Sequence, residues 1–215
     1  MPRVPEQVRP PVDLPPRADL GEWARLRARL VVTDEDWVYC GALSDDGYGR
    51  LHAPLAAAAL GQASPSVRPS RWMWHAHHGP LAAGLVVRHV CDRSWCARPE
   101  CLTPGDHVDN LADALSRDRL TYPGRVGKAD RRGAYGSALA VRTAVLAAVE
   151  RGVHDPAELG AVVAGALAAG DPFADHGSLF PAPETRAPVA RSRPPRFASA
   201  AAPSGDPGAG QDPLF

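Results

Sequence analysis

The chain has 215 residues with 24 basic and 24 acidic side chains, so its formal net charge is zero. Its 23 prolines and 20 glycines make up about a fifth of the residues, against ordinary usage of ~12%, and much of this excess lies at the two ends. No window reaches ~18 consecutive apolar residues, which excludes a membrane-spanning helix. The N-terminus lacks the apolar core of a secretory signal. We therefore expect a cytoplasmic protein with no membrane partner, whose four cysteines are thiols or metal ligands rather than disulfides.

The first third of the chain predicts one helix and one β-hairpin. Residues 1–18 are rich in proline and predict a disordered N-terminus. Asp19 is typical of an N-cap and precedes a helix predicted over 20–31. Residues 36–42 alternate like a strand, and after a Ser-Asp-Asp-Gly turn residues 48–52 return as its partner.

The rest of the chain predicts mostly helices. The expected elements are a short helix over 71–78, a β-run at 85–87 leading into His89, a helix over 107–119, and Ala-rich helices near 137–151 and 156–169. We expect a disordered Pro-rich N-terminus (1–18), a folded body (19–135), an Ala-rich helical annex (136–170) and a disordered C-terminal tail (171–215).

The cysteines are spaced like metal ligands. Cys91, Cys96 and Cys101 are five and five residues apart, and Cys40 lies upstream on the predicted hairpin. Zinc prefers four thiolate or imidazole ligands in a tetrahedron, supplied by short loops. The pattern predicts one structural zinc site; the alternative is four buried apolar thiols.

His89 and Asn110 are candidates for chemistry at phosphate. His89 ends the β-run, where residues 89 and 91 point the same way, beside the predicted metal loop. Asn110 follows 21 residues later inside a predicted helix. An imidazole can take a proton from water, and an amide oxygen can hold a hard cation such as Mg²⁺. The alternatives are a structural histidine and an asparagine that caps the helix.

The motif around these residues extends over three segments in order. The central one contains His89, Cys91, Asp92, Cys96, Pro99, Cys101, Leu102, Asn110 and Asp113. Upstream lie Trp37, Tyr39, Gly41 and Gly47-Tyr48-Gly49-Arg50, followed by Arg71, Trp74, His78-Gly79-Pro80, Gly84 and Val87. This order resembles the HNH, or His-Me finger, endonucleases, in the zinc-containing branch that includes His-Cys box homing enzymes and many actinobacterial and phage proteins.

The resemblance implies an α+β fold with a small ββα-metal domain, a zinc-anchored loop, flanking helices and disordered tails. It implies a metal-dependent endonuclease that hydrolyses DNA phosphodiesters and leaves 5′-phosphate and 3′-hydroxyl ends. His89 would be the general base, and Asn110 would hold the catalytic Mg²⁺ or another divalent ion. Arg50 and Arg71 are the expected substrate contacts, although Arg50 could also be a solvated hairpin arginine.

The chain departs from the family pattern in its zinc ligands. Cys101 stands where the family usually has histidine, which leaves four thiolates as the expected set. Cys40 is displaced from the family's upstream position, which holds Asp36 here, and lies about 13 Å further along the same strand face. If Cys40 does not reach the metal, Asp36 or His52 could complete the site.

The remaining aromatic and basic side chains have ordinary explanations. For His75, His77 and His78 we expect packing or capping, for His107 capping or solvent exposure, and for Trp72, Trp74 and Trp95 core or loop-anchoring roles. Residues 117–132 carry a local net charge of +4 and could track phosphates.

Two other functions remain open. A catalytically inactive zinc module that binds DNA would use the same scaffold but needs neither His89 nor Asn110. A zinc-stabilised scaffold could instead bind protein through the Ala-rich helices, for which we expect packing or oligomerisation, including a homodimer.

Overall fold

The protein combines helices with short antiparallel strands in an α+β fold, as predicted. The computed structural model describes residues 4–119 and 129–173, all within the first of two compact units, Met1–Gly177. The second unit, Ser178–Phe215, lies outside the described residues, as does the predicted tail from residue 174 onward. The helices are α1 (Leu20–Arg27), α2 (Pro54–Ala59), α3 (Pro69–His78), α4 (His107–Ser116), α5 (Gly133–Glu150) and α6 (Pro156–Ala168). The strands are β1 (Leu30–Val32), β2 (Trp37–Tyr39), β3 (Ala42–Leu43), β4 (Gly49–His52), β5 (Ser66–Val67), β6 (Val86–His89) and β7 (Leu102–Gly105).

The ladder of β1 and β2 separates two hydrophobic cores. Val31 pairs with Val38, and both face a core shared with α5 and α6. Leu30 pairs with Tyr39, and both face the opposite core, which α1, α2 and α3 cover. Because successive strand residues point to opposite faces, this one short ladder contributes to both cores.

The predicted helix over 20–31 and the predicted strand over 36–42 are each only partly correct. The helix begins after the Asp19 cap, as expected, but ends at Arg27, and the next apolar residues form β1. The strand breaks at Gly41, where a Cβ atom would overlap the Tyr39 ring. Its first part therefore pairs with β1, and only Ala42–Leu43 pairs with β4 as the expected hairpin.

The prediction of a disordered N-terminus is wrong for residues 4–18. Val4 and Val8 are buried in the α5–α6 core. Arg9 Nε donates to the Val4 carbonyl at 2.7 Å, and Arg27 Nε donates to the Pro10 carbonyl at 2.7 Å. Two buried valines and these arginine contacts hold a segment whose composition alone is typical of disorder.

The helical annex packs on the body rather than standing apart. Val141, Val145 and Leu159 are fully buried in the core that also contains the cysteine loop. Asp155 caps α6, accepting hydrogen bonds from the backbone N–H groups of Ala157 and Glu158. These apolar side chains are used inside the chain, and the prediction of a homodimer through them stays a prediction. Among helices in the described ranges, none combines the length and apolarity that crossing a bilayer requires.

Candidate metal centre and active site

The antiparallel pair of β6 and β7 positions His89. His89 pairs with Leu102 and Arg88 pairs with Thr103. Since neighbouring strand residues face opposite sides, Arg88 reaches α4, where its Nη1 lies 2.6 Å from Asp113 Oδ2. The His89 side chain extends to the other side, toward the loop that contains the cysteines.

His89 is held as a neutral imidazole with a defined tautomer. Its side chain is buried, and Nε2 lies 3.0 Å from the carbonyl oxygen of Cys96. A carbonyl only accepts hydrogen bonds, so Nε2 carries the proton and Nδ1 keeps the lone pair. Burial has the largest effect on the pKa of His89 and lowers it, against a smaller raising effect of the Cys96 carbonyl. A neutral imidazole with a free lone pair on Nδ1 can accept a proton.

The cysteine loop is attached to β2 by backbone hydrogen bonds. Val38 and Cys96 form an antiparallel bridge. On either side of the bridge, Tyr39 N donates to the Trp95 carbonyl at 3.0 Å and Ala97 N donates to the Trp37 carbonyl at 2.9 Å. The loop therefore extends the β1–β2 ladder, and its register determines which β2 residues meet the cysteines.

Three cysteines and one aspartate form a compact group. One ligand atom each from Asp36, Cys91, Cys96 and Cys101 lie within 4.8 Å of one another. A tetrahedral zinc with ~2.3 Å bonds to sulfur separates its ligand atoms by about 3.8 Å, so small shifts would suit it. Within the described residues, Asp36 Oδ1 is buried and has no hydrogen-bond partner. That orphaned oxygen and three thiols are a donor set that fits a structural metal.

Cys40, the predicted fourth ligand, lies outside this group, and Asp36, the alternative, takes its place beside the other three cysteines. Val38 lies opposite Cys96 in an antiparallel bridge. Residues before Val38, such as Asp36, therefore lie beside residues after Cys96, toward Cys101. The Cys101 thiol accordingly contacts the carbonyl of the neighbouring Glu35 at 3.9 Å. Cys40 lies toward the other end, in the core, where burial raises its thiol pKa to about 12. His52 is likewise outside the group.

The three clustered thiols hydrogen-bond one another and shift one another's pKa values. Hydrogen bonds from Cys91 and Cys96 lower the pKa of Cys101 to about 3. The same contact raises the pKa of Cys91 to about 12, and burial raises the pKa of Cys96 well above its ordinary value. One thiolate thus forms first, and a bound cation would displace the remaining protons. Arg93 pairs with the Asp36 carboxylate and balances part of its charge.

Asn110 occupies the first turn of α4 and does not cap it. The N-cap is Asp106, which forms a reciprocal capping box with Asp109. The side chain of Asn110 has no hydrogen-bond partner among the described residues, and the residue is exposed. Its amide oxygen is free to bind a ligand. β7 ends at Gly105, two residues before α4 begins, so the strand paired with the His89 strand leads directly into the helix that carries Asn110.

The end of α4 is linked to the His89 loop by contacts that were not predicted from the sequence. Asp92 has a positive φ of 61° and accepts from Arg117 Nη1 at 2.9 Å and Arg119 Nη1 at 2.6 Å. Arg117 also reaches the carbonyls of His89 at 3.4 Å and Val90 at 3.3 Å. The Cys-Asp pair in the motif was the available signal, but its partners lie 25 and 27 residues away.

The same contacts engage part of the positively charged segment at 117–132. Two of its arginines pair with Asp92, and Arg132 pairs with Asp130 at 2.6 Å. Residues 120–128 of the run lie outside the described residues. The described arginines are therefore largely engaged in local ion pairs rather than forming an open phosphate-tracking surface.

The predicted substrate arginines have different environments. Arg50 is exposed on the outer face of β4. Arg71 lies in α3, partly buried, and its Nε has no hydrogen-bond partner within the described chain. A third arginine, Arg68, which was not predicted from the sequence, pairs with Asp46 at 2.6 Å and lies over the Tyr48 ring.

The other candidate histidines and tryptophans have structural positions. Trp72 and Trp95 are buried in the cores, as expected. Trp74 is partly buried, and its ring lies 4.2 Å from that of His78 at the end of α3. The α3 histidines are not part of the metal group. His107 is the first residue of α4 and is exposed, with Asp106 as the cap.

Comparison with known proteins confirms the predicted resemblance over one segment. Residues 69–111, which include His89, the clustered cysteines and Asn110, match the family model described as HNH endonuclease. The chain is also 30% identical over 83 residues to Protein 7.7 of Escherichia phage T7, a match that covers 38% of this chain. It spans about half of that relative, 55% of its length. No solved structure matches the chain.

Proposed function

We propose that this chain, whose residues 69–111 match the HNH endonuclease family, hydrolyses phosphodiester bonds of DNA with His89 as the general base. The observation that carries the proposal is the 3.0 Å contact between His89 Nε2 and the Cys96 carbonyl. This contact fixes the proton on Nε2, so Nδ1 can take a proton from the attacking water. Burial keeps the ring neutral by lowering its pKa.

Asn110 completes the proposed site. Its exposed amide would hold a divalent cation, with Mg²⁺ the first candidate, and a cation held there would supply electrostatic stabilisation of the charge that develops on the phosphate. Arg50 and Arg71 are proposed to contact neighbouring phosphates. A structural zinc on Asp36, Cys91, Cys96 and Cys101 would hold the loop between His89 and Asn110 in one conformation.

Plasmid cleavage tests the proposal. Purified protein is incubated with supercoiled plasmid with Mg²⁺, without it and with chelator, alongside His89→Ala. His154→Ala is a matched control, because His154 is exposed between α5 and α6. We expect His89→Ala to lower the cleavage rate ~100-fold or more and His154→Ala to leave it unchanged. Cleavage that persists in His89→Ala refutes the mechanism. Plasmid retention without cleavage by the wild type would favour the DNA-binding module instead.

A further inference from the structure

Three side chains, Arg68, Tyr48 and His89, form a column that leads from the solvent-exposed face of β4 to the proposed general base. His52 pairs with Ser66 and Leu51 with Val67. Continuing this register by one residue places Arg68 opposite Arg50, and by alternation both share a face with Tyr48. Arg68 therefore lies on the same surface as the predicted substrate contact Arg50, at the end of the strand nearest Tyr48.

Two contacts hold the Arg68 guanidinium in place. Its Cζ lies 4.0 Å from the centre of the Tyr48 ring, and its Nη2 lies 2.6 Å from Asp46 Oδ2. Asp46 is itself fixed by the hairpin turn, where it accepts from Tyr48 N at 3.2 Å and from the Ser44 hydroxyl. Cation–π stacking and an ion pair together set both the plane and the direction of the guanidinium.

The column ends at the proposed general base. The Tyr48 ring lies 5.9 Å from the His89 ring, centre to centre, with 44° between the planes. A positive charge with a fixed orientation thus lies beside the proposed site of water activation.

Arg68 retains donors for a ligand. The Arg68 side chain is 42% exposed and that of Asp46 is 40% exposed. A guanidinium has five N–H donors. Within the described residues, the Arg68 guanidinium donates a hydrogen bond through Nη2, to Asp46. An exposed ion pair stabilises a fold only weakly. Stabilisation of the fold alone therefore poorly explains the pairing of Arg68 with Asp46.

We propose that Arg68, oriented by Asp46 and Tyr48, binds a phosphodiester group of the nucleic acid beside His89. The inference rests on the proposed function and adds a substrate-binding residue to it. A fixed, partly exposed guanidinium matches two phosphate oxygens in a forked geometry. Arg68 is oriented by two neighbours before substrate arrives, and a preoriented group loses less entropy on binding.

The test separates binding from chemistry. Affinity for a short DNA duplex is measured by fluorescence anisotropy at several salt concentrations, with His89→Ala as the background so that no cleavage occurs. Arg68→Gln and Arg68→Lys are compared with Arg151→Gln. Arg151 is exposed and directly follows the last residue of α5. The first turn of α5 contacts the hairpin at Gly47, and Arg151 lies about 26 Å from that turn along the helix axis. Cleavage kinetics of the same substitutions are measured with His89 intact.

We expect Arg68→Gln to weaken binding about tenfold and to reduce the slope of log K against log salt by about one. Arg68→Lys keeps the positive charge but loses the forked pair of N–H donors. It should therefore retain the salt dependence of binding and lose about threefold in affinity. With His89 intact, Arg68→Gln should raise KM more than it lowers kcat. Arg151→Gln should match the wild type in every measurement.

Wild-type affinity and salt slope in folded Arg68→Gln would overturn the inference while leaving the proposed function intact, provided His89→Ala abolishes cleavage. Cleavage by His89→Ala, or none by the wild type, would instead overturn the proposed function. Thermal unfolding checks that each variant is folded. If Arg68→Gln does not fold, Arg68→Lys decides the question: reduced affinity with an unchanged slope supports the inference, and wild-type affinity refutes it.

Discussion

Replacing Arg117 with alanine should slow cleavage by releasing the loop that carries His89. Arg117 lies 2.9 Å from Asp92 Oδ1 and reaches the carbonyls of Val90 and His89 at 3.3 and 3.4 Å. The ion pair is partly exposed, with side chains 29% and 30% accessible, so we assign it about 1 kcal/mol at most. The two long carbonyl contacts add roughly 0.5–1 kcal/mol together.

If that energy holds His89 in its reactive position, its loss corresponds to a rate reduction of roughly tenfold, because 1.36 kcal/mol is one factor of ten. The measurement is the single-turnover cleavage rate at saturating DNA, which separates positioning from binding. Arg119→Ala is the matched control: Arg119 pairs with the same Asp92 oxygen at 2.6 Å, and within the described residues its side chain donates to that carboxylate rather than to the loop backbone. We expect less than a threefold effect there. Equal effects of the two substitutions would refute positioning through the carbonyls, as would a change in KM alone.

Two pairs of substitutions test the packing of the hairpin and the composition of the metal group. Gly47→Ala should cost about 2–4 kcal/mol in urea unfolding, because Gly47 has φ +77° and an added Cβ would lie 2.5 Å from the Ala134 carbonyl oxygen. Gly84→Ala, with φ +82° but open space around it, should cost only about 1 kcal/mol; equal costs would exclude the contact with α5. Zinc content by mass spectrometry should fall well below one equivalent in Cys96→Ser and stay near one in Cys40→Ser. Loss of zinc from Cys40→Ser would contradict the Asp36 assignment.

Local signals in the sequence predicted the elements that have their own caps. Asp19 and Asp155 each precede a helix that begins where expected, and both side chains accept backbone hydrogen bonds in the first turn. By contrast, Leu30 continues the apolar period of α1, and the pattern predicts helix through residue 31, where the structure has β1. Its strand conformation depends on pairing with Trp37–Tyr39, which no local pattern specifies.

The metal group shows the same limit. Alternation puts Asp36 and Cys40 on one face of a strand, and the cysteine spacing favours Cys40 on chemical grounds. The bridge between Val38 and Cys96 decides between them, because it sets which end of β2 meets Cys101. That pairing joins residues 58 positions apart, so spacing within the cysteine segment contains no information about it.

The two halves of the proposed site are held by different forces. His89 lies on a paired strand, and its hydrogen-bond partner Cys96 belongs to a hydrophobic core. The helix of Asn110 has no buried residue, and its apolar residues Val108 and Leu111 are 74% and 53% exposed.

Ion pairs make up much of the contact between α4 and the rest of the folded protein. Arg88 pairs with Asp113 at 2.6 Å on one side, and Arg117 with Asp92 at 2.9 Å at its end. Salt screens partly exposed pairs of this kind far more than it weakens a core. The position of Asn110 relative to His89 should therefore loosen as ionic strength rises, and the cleavage rate at saturating DNA should fall with salt even where binding no longer limits it. A rate independent of salt at saturation would mean that contacts other than these ion pairs hold α4.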